Sequence, residues 1–322
     1  MEINEKSIKM FSTIGPRATL GLAALDIAKK DEKLIIVTCD VSTSAGLDRF
    51  RKTFPEKYFD LGIAEQNMIG VATGLASENF KVVTTTFAPF QTMRCCEQIK
   101  VNLGYMNQKV CMVGIASGLA LGTLGYTHCC IEDVGALRSI PGLTIISPAD
   151  SLETVKCLQE AINYSGPTYI RLTGKSNNPI VNKKDYNFKI GKSITIQEGN
   201  DITLFATGSM VYQSLKAAEI LKQNKISAKV VNMHTIKPLD KEIIEKSLDC
   251  NLIFTIEEHN IVGGLGSAIS EFLSTQKKKP KQVFIGVEDI YGKGGEYEYL
   301  LEKHGLTGTL IAKKIREEID KN

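Results

Sequence analysis

One acidic residue stands in an otherwise apolar, small-residue stretch of the sequence. The stretch DLGIAEQNMIGVATGLA (60 to 76) places Glu65 in its opening turn. A lone buried carboxylate is costly unless it is paired, hydrogen-bonded or kept protonated. Such residues are functional candidates more often than surface acids are, and the alternative is a structural acid buried at a helix N-terminus. Glu65 is therefore a candidate for proton chemistry.

A histidine follows a glycine-rich segment further along the chain. The segment GLALGTLG (118 to 125) leads to His128, in what the pattern predicts to be a loop after a strand. Ligand sites in open α/β sheets lie at the carboxyl ends of strands. Because the glycines bring little side-chain bulk, a ligand could reach His128, although a loop histidine is often an ordinary surface residue.

Other short motifs favour structural roles. EEHNIVGGLGSAI (257 to 269) lacks the full dinucleotide fingerprint, because Ile269 stands at the last glycine position. We expect its glycines to form a close turn at the start of a helix. GKS occurs at 174 and 191 without the earlier glycine of a Walker A loop. TIKPLD (235 to 240) predicts a strand end, a proline turn and an Asp that caps the next helix.

Strand-like and helix-like segments alternate from one end of the chain to the other. The β-branched runs of the first half are 34–40, 81–87, 109–115, 143–149 and 168–174, and its helical segments are 16–30, 65–77, 90–103 and 151–165. The stretch 174–192, rich in Asn, Lys, Gly and Pro, predicts a linker before a second α/β series. The alternation predicts an α/β fold of two domains, residues 1–180 and 193–322, each a mainly parallel sheet flanked by helices.

The bulk composition narrows the class of protein. The chain has 322 residues, 43% of them hydrophobic and 23% charged, and a net charge of +3. These values predict a globular cytoplasmic protein that binds neither nucleic acid nor membrane. The eight cysteines include no C-x-x-C pair, and Cys129 and Cys130 beside His128 are adjacent residues that rarely face one ion. The sequence therefore predicts no metal site in this chain.

Several motifs in a fixed order resemble the C-terminal half of a transketolase and the matching part of 1-deoxyxylulose-5-phosphate synthase. They are GIAEQNM (62–68), TTTFAPF (84–90), GYTH with IED (125–133), IPGLTIISPAD (140–150) and PTYIRL (167–172), followed by TIKPLD and EEHNIVGGLG. The resemblance covers roughly residues 10 to 315. It implies a pyrimidine-binding domain at 1–180 and a transketolase C-terminal domain at 193–322.

The resemblance also implies a cofactor, thiamine diphosphate, and the residues that hold it. Glu65 matches the glutamate that meets ring nitrogen N1′ of the aminopyrimidine. Phe87 matches the aromatic residue that stacks on that ring, and Phe90 lines the same pocket. Asp40 matches an acidic residue near the cofactor at a subunit interface. Without the family, two phenylalanines at this spacing are core residues more often than cofactor contacts.

Substrate contacts follow from the same resemblance. His128 matches a histidine that hydrogen-bonds hydroxyl or carbonyl oxygens of the substrate. Ser44 and Arg171 match residues that bind the substrate phosphate, and Arg17 is a weaker match to another. These residues imply transfer of a two-carbon ketol unit between a ketose and an aldose.

The sequence departs from ordinary transketolases at three positions. Thr123 and Leu124 stand where an aspartate reads sugar hydroxyls, and Ala116 stands where a histidine touches the sugar phosphate. These departures put the usual pentose phosphates in doubt. We expect a phosphorylated or otherwise modified sugar as substrate.

A further motif of the family is absent. The GDG motif, which with a downstream asparagine holds the diphosphate through Mg²⁺ or Ca²⁺, does not occur in the sequence. The resemblance begins too near residue 1 to leave room for that domain. We therefore expect a split transketolase in which an N-terminal partner subunit supplies the diphosphate and metal site, with homodimerisation and an α2β2 assembly.

Two alternatives stay open from the sequence. An E1-type β subunit of a 2-oxo acid dehydrogenase has the same two-domain plan, although its relatives usually carry an SE pair where this chain has AEQ. A non-catalytic module of the same fold is the other alternative. Retention of Glu65, Phe87 and His128 together argues against it.

Overall fold

The computed structural model describes residues 1–321 and contains two sheets of mostly parallel strands flanked by helices, which confirms the predicted fold class. The strands are β1 (Leu34–Thr38), β2 (Tyr58–Asp60), β3 (Lys81–Phe87), β4 (Val110–Ile115), β5 (Thr144–Ile146), β6 (Thr168–Arg171), β7 (Ile194–Gln197), β8 (Ile202–Ala206), β9 (Ala228–Asn232), β10 (Thr235–Lys237), β11 (Leu252–Asn260) and β12 (Lys281–Val287).

The α-helices lie before, between and after these strands. They are α1 (Glu5–Ala28), α2 (Asp48–Thr53), α3 (Glu65–Ser77), α4 (Ala88–Gln91), α5 (Cys96–Gln98), α6 (Asp133–Arg138), α7 (Ser151–Ala161), α8 (Met210–Gln223), α9 (Lys241–Glu245), α10 (Leu265–Ser274), α11 (Tyr297–Lys303) and α12 (Gly308–Ile319). The predicted linker, 174–192, contains neither a helix nor a strand.

The first sheet has the strand order β10-β5-β6-β4-β3-β1-β2, with all neighbours parallel except β10 with β5. Alternate residues of its buried strands face opposite layers. Leu34 and Ile36 pack against α1 and α7, whereas Ile35 and Val37 pack against α3 and α6. Because both faces are covered, the central strands β1 and β4 are buried at every position.

The second sheet has the order β12-β11-β8-β9-β7, in which only the β7–β9 pair is antiparallel. Leu204 and Phe254 pack on one face with the helices α8, α11 and α12. Phe205 and Ile253 pack on the other face with α9 and α10. This domain is therefore a second α/β layer structure, and the cluster on its α8 face continues into first-domain residues such as Leu119 and Ile131.

Two helices differ from the sequence prediction. The first begins at Glu5 rather than at residue 16, because Asn4 and Ser7 form a capping box at its N-terminus. It breaks at Gly15, whose φ of 81° interrupts the helical backbone. The predicted helix 90–103 is instead a chain of short helical turns, and the Arg94 carbonyl accepts from Gln66 Nε2 at 3.0 Å.

The TIKPLD segment behaves only partly as predicted. Its strand, β10, follows β9 of the second sheet in the chain but pairs antiparallel with β5 of the first sheet. The second half of the chain thus adds one edge strand to the first sheet. Asp240 occupies the N-cap position of α9, but its carboxylate accepts from the Ser193 N–H at 2.7 Å rather than from the helix. Within residues 1–321, no helix is long and apolar enough to cross a membrane.

Candidate active site

Four chain segments converge at the carboxyl edge of the first sheet. Asp40 follows β1, Glu65 opens α3 after β2, Phe87 ends β3, and His128 lies in the loop after β4. Because these four strands are parallel neighbours in the order β4-β3-β1-β2, their ends meet at one side of the sheet. This edge is the position at which α/β sheets bind ligands.

Three aromatic rings form a contact cluster there. The Phe87 and Phe90 ring centroids lie 6.4 Å apart, and the His128 ring centroid lies 6.2 Å from that of Phe87 and 5.3 Å from that of Phe90. All three pairs are edge-to-face contacts, an arrangement that aromatic quadrupoles favour. All three side chains are only partly buried, so the cluster offers ring surface to a ligand.

The Glu65 carboxylate joins this cluster through Arg94. Glu65 is 4% exposed and its Oε1 lies 2.7 Å from Arg94 Nη1, while the arginine side chain is 41% exposed. Arg94 Cζ lies 4.1 Å from the centroid of the Phe90 ring, in cation–π geometry. The buried carboxylate is thus paired, as a buried charge requires, with a cation that still reaches solvent.

His128 has one ring nitrogen available for a ligand. Its Nδ1 lies 3.0 Å from Thr127 Oγ1. The other ring nitrogen, Nε2, has no hydrogen-bond partner within residues 1–321. Together the cluster presents a carboxylate acceptor, aromatic faces and an imidazole nitrogen, a set that can bind a planar nitrogen heterocycle and a substrate oxygen.

Asp40 lies at the same sheet edge but outside the ring cluster. It is exposed, with a φ of 54°, and its backbone N–H donates to Asp60 Oδ1 at 2.9 Å. The same Asp60 oxygen accepts from the Gly62 N–H at 3.0 Å, just before α3. This turn fixes the path of the chain between β1 and the helix that carries Glu65. The exposed Asp40 carboxylate is open to contact from another subunit.

Arg17 and Ser44 line one cleft of about 240 Å³, together with Lys175. The cleft lies at the break in α1, where a Cβ on Gly15 would come within 2.7 Å of the Lys175 carbonyl oxygen. Burial lowers the pKa of the half-buried Arg17 guanidinium, which has no salt-bridge partner within residues 1–321. An unpaired, partly desolvated cation beside a second cation and a hydroxyl is suited to an anion.

Arg171 does not fit the predicted phosphate-binding role. Its side chain is 3% exposed, and its Nε lies 2.8 Å from Asp133 Oδ2. Its Nη2 donates to the carbonyls of Cys130 and Glu258, from the two domains. The guanidinium is buried and occupied at the domain interface, so the assignment of Arg171 to phosphate stays a prediction that these contacts do not support. Besides Arg17, the cation that lines the cleft is Lys175, whose Nζ also lies 3.5 Å from Glu296 Oε2.

The three departures from the family occupy different surroundings. Thr123 and Leu124 are exposed, and Leu124 is 54% exposed on the loop that carries His128. Ala116 is buried directly after β4, with a φ of 52°. The apolar surface of Leu124 is thus available to a ligand, whereas Ala116 is not.

The described residues contain no cluster of His, Cys, Asp and Glu side chains able to hold a metal ion.

Two residues of the site were missed from the sequence. Lys175 had a weak signal, a cation directly after the PTYIRLTG strand. Arg94 had none, because its contact with Glu65 depends on the path of the loop after β3.

Two families of known domains match this chain. Residues 12–179 match the family described as "Transketolase, pyrimidine binding domain", and residues 191–311 match "Transketolase, C-terminal domain". The chain is 39% identical to a "Putative transketolase C-terminal section" of Methanocaldococcus jannaschii, over 95% of this chain and 97% of that protein. It is 36% identical to a 6-deoxy-6-sulfo-D-fructose transketolase subunit of Clostridium sp., over 91% of each.

A solved structure shows the same architecture. It is described as "Split gene transketolase, inactive beta4 tetramer", and it superposes with a TM-score of 0.87 at 35% identity, covering 94% of this chain and 98% of that chain. The two matched domains, the near-complete coverage of split subunits and this shared fold show that the chain belongs to the transketolase family, among its C-terminal subunits.

Proposed function

We propose that this chain is the C-terminal subunit of a split transketolase, which transfers a two-carbon ketol unit between a ketose and an aldose with thiamine diphosphate. The observation that carries the proposal is the meeting of the buried Glu65 carboxylate with the Phe87, Phe90 and His128 rings at the carboxyl edge of the sheet. Thiamine diphosphate, when bound, supplies the electron sink that cleavage of a carbon–carbon bond beside a carbonyl requires.

The residues present fit the aminopyrimidine part of that cofactor. A planar cationic group, the Arg94 guanidinium, already lies against the Phe90 face and donates to Glu65 Oε1. The same two partners suit a planar heterocycle that presents an N–H edge. Glu65 would hold the proton at ring nitrogen N1′, and Phe87 and Phe90 would bind the ring faces.

The remaining side chains of the site act on the sugar. His128 Nε2 is placed to donate to or accept from a carbonyl or hydroxyl oxygen of the substrate. Arg17, Ser44 and Lys175 form the cleft for its anionic group. Asp40, exposed beside the start of α3, is assigned to a contact near the cofactor at the subunit interface.

The diphosphate and its Mg²⁺ or Ca²⁺ are assigned to an N-terminal partner subunit, since the sequence lacks GDG and the described residues contain no metal cluster. We propose an α2β2 assembly with the cofactor between the two kinds of subunit. The related split-gene chain forms a β4 tetramer that is inactive, which supports the need for a partner.

Reconstitution tests this proposal. The chain alone should show no ketol transfer and weak thiamine diphosphate binding by calorimetry. With the partner, one cofactor per pair of chains should bind in a metal-dependent manner, and ketol transfer should appear. Tight metal-dependent binding by the chain alone, or an inert complex with bound cofactor, would contradict the proposal.

The substrate is proposed to be a modified sugar rather than an ordinary pentose phosphate. A site that pairs a hydroxyl discriminates by up to about 10⁴-fold, whereas an apolar lining discriminates weakly. Since Leu124 offers an exposed apolar side chain at such a position, a deoxy or branched sugar should react better than xylulose 5-phosphate with ribose 5-phosphate. A sulfonated deoxy sugar named for one relative belongs to this class.

Steady-state kinetics of the assembled enzyme on both sugar classes would decide the substrate class. The matched variant Leu124→Asp should shift the ratio of kcat/KM toward the pentose phosphates. Ordinary efficiency on pentose phosphates by the unaltered enzyme would show that the substitution at Leu124 is compensated elsewhere.

A further inference from the structure

Arg94 occupies a specific place in the site that none of the roles above explains. Its Nη1 donates to Glu65 Oε1 at 2.7 Å, and its Cζ lies 4.1 Å from the Phe90 ring centroid. The guanidinium therefore uses the two partners assigned above to the aminopyrimidine, the carboxylate and one aromatic face.

The two groups are chemically alike. A guanidinium is a planar, delocalised cation that donates N–H bonds along its edge and stacks on aromatic faces. A protonated aminopyrimidine is also planar and cationic, and it also presents N–H donors at its edge. One carboxylate oxygen and one face of a phenylalanine cannot serve both groups in the same geometry.

We propose that Arg94 is a placeholder for the cofactor, which occupies Glu65 and Phe90 in the cofactor-free chain and must swing away before the aminopyrimidine binds. The inference rests on the proposed function, in which Glu65 meets the ring nitrogen. It adds a regulatory contact to that site, since the Arg94 guanidinium competes with the cofactor for the same carboxylate.

The surroundings allow the arginine to move while the glutamate stays. The Arg94 side chain is 41% exposed, whereas Glu65 is 4% exposed at the start of α3. The Arg94 backbone is held separately, because its carbonyl accepts from Gln66 Nε2 at 3.0 Å. The neighbouring Met93 is 45% exposed, so solvent adjoins this segment.

The placeholder also explains how the isolated chain tolerates Glu65. An unpaired carboxylate at this burial would be destabilising, and the ion pair removes that cost until the cofactor arrives. A binding-competent state that is only fractionally populated lowers the apparent affinity by that fraction. Removal of the guanidinium should therefore raise cofactor affinity, opposite to the effect expected of a residue that only orients Glu65.

The test uses calorimetric titration of thiamine diphosphate into the complex of the full chain with its partner subunit. Arg94→Ala should bind the cofactor about tenfold more tightly than the unaltered chain, equivalent to about 1.4 kcal/mol. Arg51→Ala is the matched control, because Arg51 is an exposed arginine of the same domain, paired with Asp48 at 3.5 Å. Its affinity should not change, which excludes a general effect of lost positive charge.

A second measurement separates occupancy of the site from altered folding. Guanidinium chloride at a non-denaturing concentration should weaken cofactor binding by Arg94→Ala, because the free guanidinium ion can take the place of the lost side chain beside Glu65 and Phe90. Cofactor binding by Arg51→Ala should stay nearly unchanged, because Arg94 still fills that place. Arg94→Lys, which keeps the charge but loses the planar group, should bind the cofactor with intermediate affinity. Thermal unfolding of each variant checks that it is folded.

The outcomes distinguish this inference from the proposed function. Unchanged or weaker binding by Arg94→Ala, with binding still lost in Glu65→Gln, would overturn the placeholder and leave the proposed function standing. Binding that does not depend on Glu65 in any variant would overturn both. Tighter binding by Arg94→Ala that guanidinium reverses supports both.

Discussion

Two arginine–carboxylate pairs in this chain have the same chemical groups in opposite surroundings. Arg171 and Asp133 are both buried, with Arg171 Nε 2.8 Å from Asp133 Oδ2. Arg171 also donates hydrogen bonds to one backbone carbonyl of each domain. Arg94 and Glu65 are 2.7 Å apart, but the arginine is partly exposed and lies among rings that are open to a ligand.

The difference indicates which of the two pairs can exchange a partner for a ligand. The buried pair also bonds to Tyr169, whose hydroxyl donates to Asp133 Oδ2 at 2.7 Å, and His259 lies 3.8 Å from Oδ1. Burial lowers the pKa of Arg171 but the Asp133 carboxylate raises it, with a net rise. A buried pair that is hydrogen-bonded to both domains holds them together, whereas a pair with one accessible partner can exchange it.

The largest expected effect is on catalysis at the open pair. Glu65→Gln in the assembled enzyme should lower kcat by about 10⁴-fold, because an amide cannot share a proton with a ring nitrogen. The unfolding free energy should change little. Glu78→Gln, at an exposed glutamate just after the same helix, is the matched control for stopped-flow or coupled assays. Retention of more than about a tenth of kcat would show that Glu65 has another role.

The next largest effect is on stability at the buried pair. Arg171→Ala should lower the unfolding free energy by about 3–5 kcal/mol, because it leaves the Asp133 charge buried without a partner. Arg94→Ala should cost less, about 1–3 kcal/mol, because it leaves the Glu65 carboxylate without its partner at a site that solvent can enter. Urea unfolding of both variants measures the contrast. Equal losses would mean that the two pairs are not different in kind.

The dependence of stability on pH tests another buried carboxyl group near Arg171, that of Glu257. Burial raises the pKa of Glu257 to about 7, opposed by hydrogen bonds from the Gly266 and Leu265 N–H groups. Between pH 7 and 4.5 the Glu257 carboxyl group is therefore protonated in the folded state and ionised in the unfolded state, where its pKa has the ordinary value of 4.5. Stability due to Glu257 thus rises as the pH falls from about 7 toward 4.5.

Glu257→Gln should remove this contribution. The unaltered chain should gain about 1–3 kcal/mol of stability relative to the variant as the pH is lowered across that window. Comparison with the variant is needed because burial lowers the pKa of His259 to about 4, and this histidine opposes the trend below its ordinary pKa. A constant difference in unfolding free energy between pH 7.5 and 5 would contradict the assignment.

The smallest effect is expected in the substrate cleft. Lys175→Ala should raise KM for a phosphorylated sugar about tenfold with little change in kcat, because it removes one charge-assisted contact. Lys189→Ala, at an exposed lysine of the linker outside the cleft, should leave KM unchanged. An equal rise in both variants would indicate a long-range electrostatic effect rather than a contact.

The sequence predicted the elements that carry strong local signals. The helix 65–77 and the strand 81–87 agree with the structure residue for residue, since the first is an apolar, small-residue run and the second is rich in β-branched residues. The glycines of EEHNIVGGLG form the predicted close turn, because a Cβ on Gly264 would lie 1.9 Å from Glu257 Oε2.

Features that depend on tertiary contact could not be predicted from the sequence. Nothing local reveals that Arg171 turns into the domain interface, because its partners lie at 130, 133 and 258. The Glu65–Arg94 pair likewise joins α3 to an irregular loop 29 positions away. Pairings across this distance depend on how the layers pack, which periodicity and composition do not specify.

The most direct test of the central claim is a structure of the assembled complex with thiamine diphosphate and its metal. We predict that a Glu65 carboxylate oxygen lies within hydrogen-bond distance of the aminopyrimidine N1′, with the ring against Phe87 or Phe90 and Arg94 displaced from the carboxylate. A cofactor ring bound elsewhere, with the Glu65–Arg94 pair intact, would contradict the account.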